Sequence, residues 1–478
     1  MPVRRCAGEE TFLRRFMPLR GKASGHKQAE PRSPLFLPVA IVLCIWVIFG
    51  GAAPESLLLF SMLALSGSAL LLFLLWRGDG SSWRSLSWPA RAMVAVFCLI
   101  PLVQLIPLPP AMWQALPGRE LAVDTLGVAG VADRWHPLTL AVAPTFRTLL
   151  VLVWLAALLL AALQLTSGEL RRIFGLLLIL GLLNVAIGVV QVVSNNALLV
   201  FHDGFAGRFL TGLFANKNHA GLFIALTFLF GYGALYAKHG WDRRHLAMVM
   251  SIGLVLLIAL VATFSRAGLV LGLAAIAFLV VLSAGNRLGR GMRVLLIAAP
   301  IVAAGLFAVI SSTDVASRAM ARFGGVETDL RWSIWDWSAP LVERYFPVGS
   351  GIGSFPAIYP SHEQLEWVFP SYVNHVHNDY LEQVIETGLA APIAWLLAVV
   401  ALWRPIRLAW AERATQAGRL ALMGAAALFL IAVHSAIDYP LRRPAVAATA
   451  MVALAALLRI EARKSRLRAS KAYARRDG

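Results

Sequence analysis

The sequence predicts an all-α, polytopic membrane protein of about 12 transmembrane helices, and three observations carry that prediction. Of the 478 residues, 59% are hydrophobic and only 14% charged, with a mean hydropathy of +0.72. Soluble cores do not read this way. The apolar residues fall in blocks of about 20, the length that crosses a bilayer. Backbone groups in lipid must be satisfied within their own segment, so the blocks are helices.

The blocks lie near 35–53, 56–76, 89–108, 145–165, 171–193, 218–237, 246–264, 267–283, 294–310, 380–403, 420–436 and 444–459. Before them, residues 1–34 form a basic arm, too long and too basic for a cleaved signal peptide. The transmembrane domain is expected over 35–459, and a basic tail over 460–478. Placing both termini inside puts 31 of the 43 Lys and Arg residues in inward segments, and every inward loop is basic. The net charge of +18 is then met by anionic inner-leaflet lipid and needs no nucleic acid. Of the three cysteines, Cys6 lies in the arm and Cys44 and Cys98 in apolar blocks, so no disulfide framework is implied.

The outward cations are few and sit in motif-like contexts: Arg208 and Lys217 in "GRFLTGLFANKNHAG", Arg266 in "FSRAG", Arg331 in "DLRWSIWDW", Arg442 in "DYPLRRP". His377, in "NHVHNDYLEQVIETG", lies on the same side. The middles of the spans hold almost no ionisable groups. A transporter of lipid-linked sugars, the rival class, predicts a polar pathway and repeated halves. Charge gathered at one membrane face favours surface chemistry instead. The longest outward segment, 311–379, separates the ninth and tenth spans. Within it Leu330, Ile334, Trp337, Leu341 and Tyr345 share one helical face, which predicts an amphipathic helix lying in the interface. The glycines of "FPVGSGIGSFP" lack the strand-then-helix setting of a nucleotide loop and read as a tight turn.

Six blocks in order, "GRFLTGLFANKNHAG", "TFSRAGLVLGL", "RWSIWDW", "GSGIGSF", "HNDYLEQVIETG" and "HSAIDYPLRRP", resemble the O-antigen ligase and O-antigen polymerase superfamily of bacterial integral membrane glycosyltransferases. The resemblance runs from about Arg208 to Pro444. It implies a GT-C-like bundle in the inner membrane and a metal-independent enzyme without cofactor. The donor it implies is an undecaprenyl-pyrophosphate-linked glycan, used at the periplasmic face; the acceptor is lipid A core or another glycan. Arg266 and Arg331 match the arginines thought to hold the pyrophosphate, and His377 the histidine thought to activate the acceptor. Arg208, Lys217 and Asn218 match more loosely as substrate contacts, joined by Tyr380, Glu386, Asp438 and Arg442.

The residues support that chemistry independently. A leaving pyrophosphate develops negative charge, which guanidinium forks stabilise without a metal. An acceptor hydroxyl needs a base that titrates near neutrality, and histidine is the side chain that does. With no paired carboxylates at a double-displacement spacing, inversion is expected. Asp379 and Glu382 have the spacing of a capping box that opens the tenth helix. Glu386 one turn on has two open roles, bonding neighbouring helices or balancing Arg331. Asp438 has Arg442 or Arg443 as its expected partner. A zinc reading built on His375 and His377, with His362, Glu363 and Asp379, matches no standard ligand spacing. Ligase and polymerase share one donor chemistry and are not separated by these motifs.

Overall fold

The computed structural model describes residues 33–52, 57–77, 80–202, 209–236, 243–284, 331–363 and 373–474. The expected span at 294–310, most of the basic arm and Arg208 lie outside the described residues. The chain begins with α1 (Phe36–Phe49), α2 (Leu57–Arg77), a short α3 (Ser81–Ser85) and α4 (Trp88–Gln104). An outward excursion follows, holding α5 (Pro110–Gln114) and α6 (Glu120–Val128). It is closed by a two-residue antiparallel ladder that pairs Pro107 with Pro137 and Leu108 with His136. Then come α7 (Val142–Ala162), α8 (Ser167–Val193), α9 (Lys217–Leu235), α10 (Arg243–Ala262) and α11 (Arg266–Ala284). The last part holds α12 over 331–345, α13 (Phe355–Ile358), α14 (Asp379–Thr387), α15 (Ala390–Ala411), α16 (Gln416–Ser435) and α17 (Pro444–Ala474).

Among the described residues nine helices are long and apolar enough to cross a membrane: α2, α7 to α11, and α15 to α17. The shorter apolar helices α1 and α4 occupy two more of the twelve predicted positions. At 14 and 17 residues they extend about 21 and 26 Å, short of a hydrocarbon core of about 30 Å. The centre of the bundle is formed by α9 and α17, whose apolar windows are 89% and 83% buried, against 22% for α2, α10 and α15 on the outside. Small residues set the closest approach. A Cβ on Gly221 of α9 would meet the Cα of Gly268 of α11 at 3.0 Å and the Ser265 side chain at 3.2 Å. Backbones meeting this closely are the membrane alternative to hydrophobic driving force.

The segments assigned inward meet at one end of the bundle. Arg171 donates to the Ala234 carbonyl at 2.7 Å, Gln416 to the Ser167 carbonyl at 3.3 Å, and Arg404 lies 2.6 Å from Glu461. The segments assigned outward meet at the other. There Gln104 donates to the Glu386 carbonyl at 2.9 Å and accepts from the Ile352 N–H at 2.9 Å, while Asn218 reaches Asp438 at 3.0 Å.

Two expectations are corrected at the outward end. The predicted tenth span, 380–403, is two helices. It breaks at Gly388 (φ 56°, ψ −131°), so the membrane-length helix α15 starts only at Ala390. Pro347 causes the break: its carbonyl accepts the Leu389 N–H at 2.9 Å and would lie 2.0 Å from a Cβ at Gly388. The second correction concerns the amphipathic face of α12. Ile334, Leu341 and Tyr345 are buried against Phe355, Ile358, Tyr359, Val376 and Ile385, so the face packs on its own cap rather than lying bare in the interface. The glycine-rich turn serves the same cap. Gly351 (φ 109°) runs so close to Thr139 that a Cβ would sit 1.8 Å from its hydroxyl. Backbone meets protein there, as a conformation reserved for glycine allows.

Candidate active site

Asp438 is the hub of the outward end. It follows α16, is 1% exposed, and collects groups from four segments. Its Oδ2 accepts the Asn218 amide at 3.0 Å and lies 3.5 Å from an Arg331 NH2. Its Oδ1 accepts the Tyr439 N–H at 3.0 Å and lies 3.4 Å from both His377 Nδ1 and His219 Nε2. Burial alone pushes a carboxyl toward protonation. Here His219 and His377 reverse the sign and hold the Asp438 carboxyl well below its ordinary range, so it is an anion. The expected partners Arg442 and Arg443 do not reach it; the histidines, Asn218 and Arg331 do.

The local sequence explains how each group arrives. Asn216 caps α9 by accepting the Asn218 N–H at 2.8 Å. This frees the Asn218 side chain to bridge Ser265, which donates to its Oδ1 at 2.8 Å, and Asp438. Arg331 opens α12 and is one-quarter exposed. His377 sits with φ 58°, a left-handed conformation that non-glycine residues adopt only when their surroundings enforce it. The enforcement is visible on both sides. The Val376 N–H donates to Glu382 Oε2 at 2.9 Å and the Val376 carbonyl accepts Trp335 Nε1 at 2.9 Å. After His377, Asn378 caps α14, accepting from Tyr380 and Leu381, and the Asp379 N–H donates to the Asp438 carbonyl at 3.2 Å. The cap is therefore Asn378; Asp379 and Glu382 do not form the expected capping box. The His377 ring packs edge-on against Tyr439 at 4.8 Å with its Nδ1 face on Asp438. Its Nε2 has no protein partner among the described residues and belongs to the exposed part of the ring.

The acids of α14 have a different task. Arg442 lies 3.6 Å from Asp379, 3.1 Å from Glu382 and 2.7 Å from Glu386. Glu386 balances Arg442 rather than Arg331. It also accepts the N–H groups of Gly353 (2.9 Å) and Phe355 (3.3 Å), tying the glycine turn to α14. Burial raises both Asp379 and Glu386 to about 7, while Arg442 and His375 outweigh burial at Glu382 and hold it at about 2. One guanidinium cannot neutralise three buried carboxylates, so the group retains protons near neutrality. Tyr380 donates to the Ala432 carbonyl at 2.8 Å and packs edge-on against Trp395, a structural anchor between helices. Lys217 lies over the Phe209 ring at 4.4 Å. His375 is bonded to Glu382 at 2.8 Å and His362 to Arg344 at 2.9 Å, so the histidines of the zinc reading face separate partners.

Arg266 is exposed at the start of α11, one residue beyond the Ser265 that bonds Asn218. The described structure therefore brings His377, Arg331, Asp438 and Asn218 together directly. Arg266 stands at the edge, and Glu386 and Arg442 are joined in the adjacent scaffold. Sequence reasoning passed over His219, Ser265 and Tyr439. The first hides in a helix-opening cluster, the second beside a more conspicuous arginine, and the third looks like an ordinary interface aromatic.

No curated protein matches the chain. Residues 251–396, less than a third of the sequence, match the family model described as O-antigen ligase. The matched segment includes Arg266, Arg331, His377 and Glu386, and supports membership of the O-antigen ligase/polymerase superfamily for this chain.

Proposed function

We propose that this protein is an O-antigen ligase-like glycosyltransferase that moves a glycan from undecaprenyl pyrophosphate to an acceptor hydroxyl, on lipid A core or polysaccharide, at the periplasmic face of the inner membrane. The observation that carries the reading is the meeting of one imidazole, one buried carboxylate and one guanidinium at Asp438. His377 Nε2 takes the proton of the acceptor O–H as that oxygen attacks the anomeric carbon. Asp438, behind Nδ1, holds the ring with its proton on Nδ1 and stabilises the imidazolium that forms. The anomeric C–O bond to pyrophosphate breaks with its electron pair, configuration inverts, and undecaprenyl pyrophosphate leaves. Arg331, held near the hub by the same carboxylate, and Arg266 at the rim meet the developing phosphate charge. Asn218 and Lys217 line the donor side of this reading, and Glu386 and Arg442 fix the frame on which His377 is mounted.

The test is purified protein with an undecaprenyl-pyrophosphate-linked glycan and two acceptors supplied separately: lipid A core and a glycan terminus. Transfer to the core supports the ligase reading, and growth of the glycan supports a polymerase. No transfer to either, with the protein inserted and donor bound, would refute the enzyme.

A further inference from the structure

The opposite end of the bundle holds a cleft that this chemistry leaves unused. It encloses about 460 Å³ and is lined by Ser81, Arg84, Ser85, Ser87, Arg404 and Glu461, drawn from α3, the N-cap of α4, α15 and α17. Arg404 lies 2.6 Å from Glu461, so two guanidinium groups face one carboxylate and the lining carries one net positive charge. Ser87 caps α4 without a side-chain capping hydrogen bond, which leaves its hydroxyl available at the positive end of a 17-residue helix.

Three further features fix what such a cleft meets. Trp76, Trp83, Trp88, Trp403 and Trp410 all belong to this end and are all exposed. Indoles collect at headgroup depth, so the cleft opens at the level of lipid phosphates. Next to it, Leu396, Val399, Val400 and Trp403 form an exposed stripe along one face of α15 that leads to Arg404. Basic clefts between helices at such an interface recognise anionic headgroups.

We propose that this cleft binds the phosphodiester headgroup of an anionic glycerophospholipid, with the acyl chains lying along the α15 stripe. One phosphodiester carries the single negative charge that the lining leaves unmatched, and the hydroxyls of Ser81 and Ser87 suit its unesterified oxygens. The ligand joins α3 and α4 to α15 and α17 at the end of the bundle remote from Asp438.

The experiment uses the full chain in nanodiscs, with phosphatidylglycerol as the probe, phosphatidylcholine as the control lipid, and bound lipid counted by native mass spectrometry. Phosphatidylglycerol is expected to be retained over phosphatidylcholine. Arg84→Gln and Arg404→Gln should each reduce retention about tenfold or more, the factor for loss of one charge-assisted hydrogen bond. Arg404→Gln has the larger effect because it also leaves Glu461 unpaired. Glu461→Gln should increase retention, a sign that a merely structural role for the pair would not produce. Equal retention of the two lipids, or no change in all three variants, overturns the proposal. Displacement of the lipid by millimolar inorganic phosphate alone would assign the cleft to a free anion and overturn the lipid source.

Discussion

Replacing Asp438 by Asn removes the hub charge while keeping its shape. Oδ1 and Oδ2 both accept donors, at 3.0 Å from the Tyr439 N–H and 3.0 Å from the Asn218 amide. Whichever way the new amide turns, one –NH2 faces a donor, which costs about 1–3 kcal/mol of local stability. The kinetic effect is larger. An anion 3.4 Å from His377 Nδ1 stabilises an imidazolium by about 5 kcal/mol at an effective dielectric constant of about 20. Because His377 is 23% exposed, solvent screening reduces this to about 3 kcal/mol. Transfer should slow about a hundredfold, with the loss in kcat rather than KM, since a proton is transferred only in the chemical step. The assay is glycan transfer at saturating donor, beside a thermal unfolding midpoint in the same detergent. A variant with native kcat and an unchanged midpoint would remove Asp438 from the base machinery. Equal losses in KM and kcat would make it a donor contact instead.

The other expectations are more direct. His377→Ala should abolish transfer with the protein still inserted and unfolding at the native midpoint; native transfer would take it out of the base role. Arg331→Lys and Arg266→Lys should rescue poorly relative to Ala because the fork is lost, and full activity in either would argue against bidentate phosphate contact. Arg442→Ala leaves Asp379, Glu382 and Glu386 buried without a counter-charge and should destabilise the outward cap by about 3–5 kcal/mol, read as protease sensitivity of 347–388. The same group sets a pH optimum for stability. Asp379 and Glu386 are raised to about 7 from 3.8 and 4.5, so the folded state binds protons that the unfolded chain has released, and stability falls as pH rises from about 4 to about 7. Glu382, lowered to about 2, contributes stability that is lost as pH falls from about 4.5 to 2. Unfolding midpoints should therefore peak near pH 5, and a midpoint that rises steadily to pH 8 would contradict the assignment.

The bundle was legible because lipid leaves the backbone few options. Long apolar blocks had to be helices, and the basic loops had to share an end, as Arg171, Arg404 and Gln416 do. What was not legible came from tertiary contacts with no local signature. Nothing around Gly388 announces a break inside an apolar run; the break is set by the Pro347 carbonyl from 41 positions earlier. The apolar face of α12 was read correctly as a face, but periodicity says only that it is covered, not whether by lipid or by Val376 and Ile385. The acids of α14 looked like a capping box because spacing cannot show that Asn378, one residue earlier, takes the backbone donors.

The candidate site shows the same division between local and distant information. His377 and Arg331 stand in motif-like blocks, yet neither block contains the carboxylate that joins them. That carboxylate comes from the segment after α16, beyond the 251–396 match, and Asn218 comes from before it. The strained backbone at His377 makes sense only with all of these present. Val376 is held by Trp335 and Glu382, Asp379 by the Asp438 carbonyl, and Glu382 by Arg442. The cluster of α14 acids is therefore the brace that keeps one imidazole in an uncommon conformation facing outward, and the hub charge is what gives that conformation a chemical use. A fragment restricted to the matched residues would contain His377, Arg266 and Arg331 without Asp438 or Arg442. On this argument it would lose the brace and the charge together, and transfer with them.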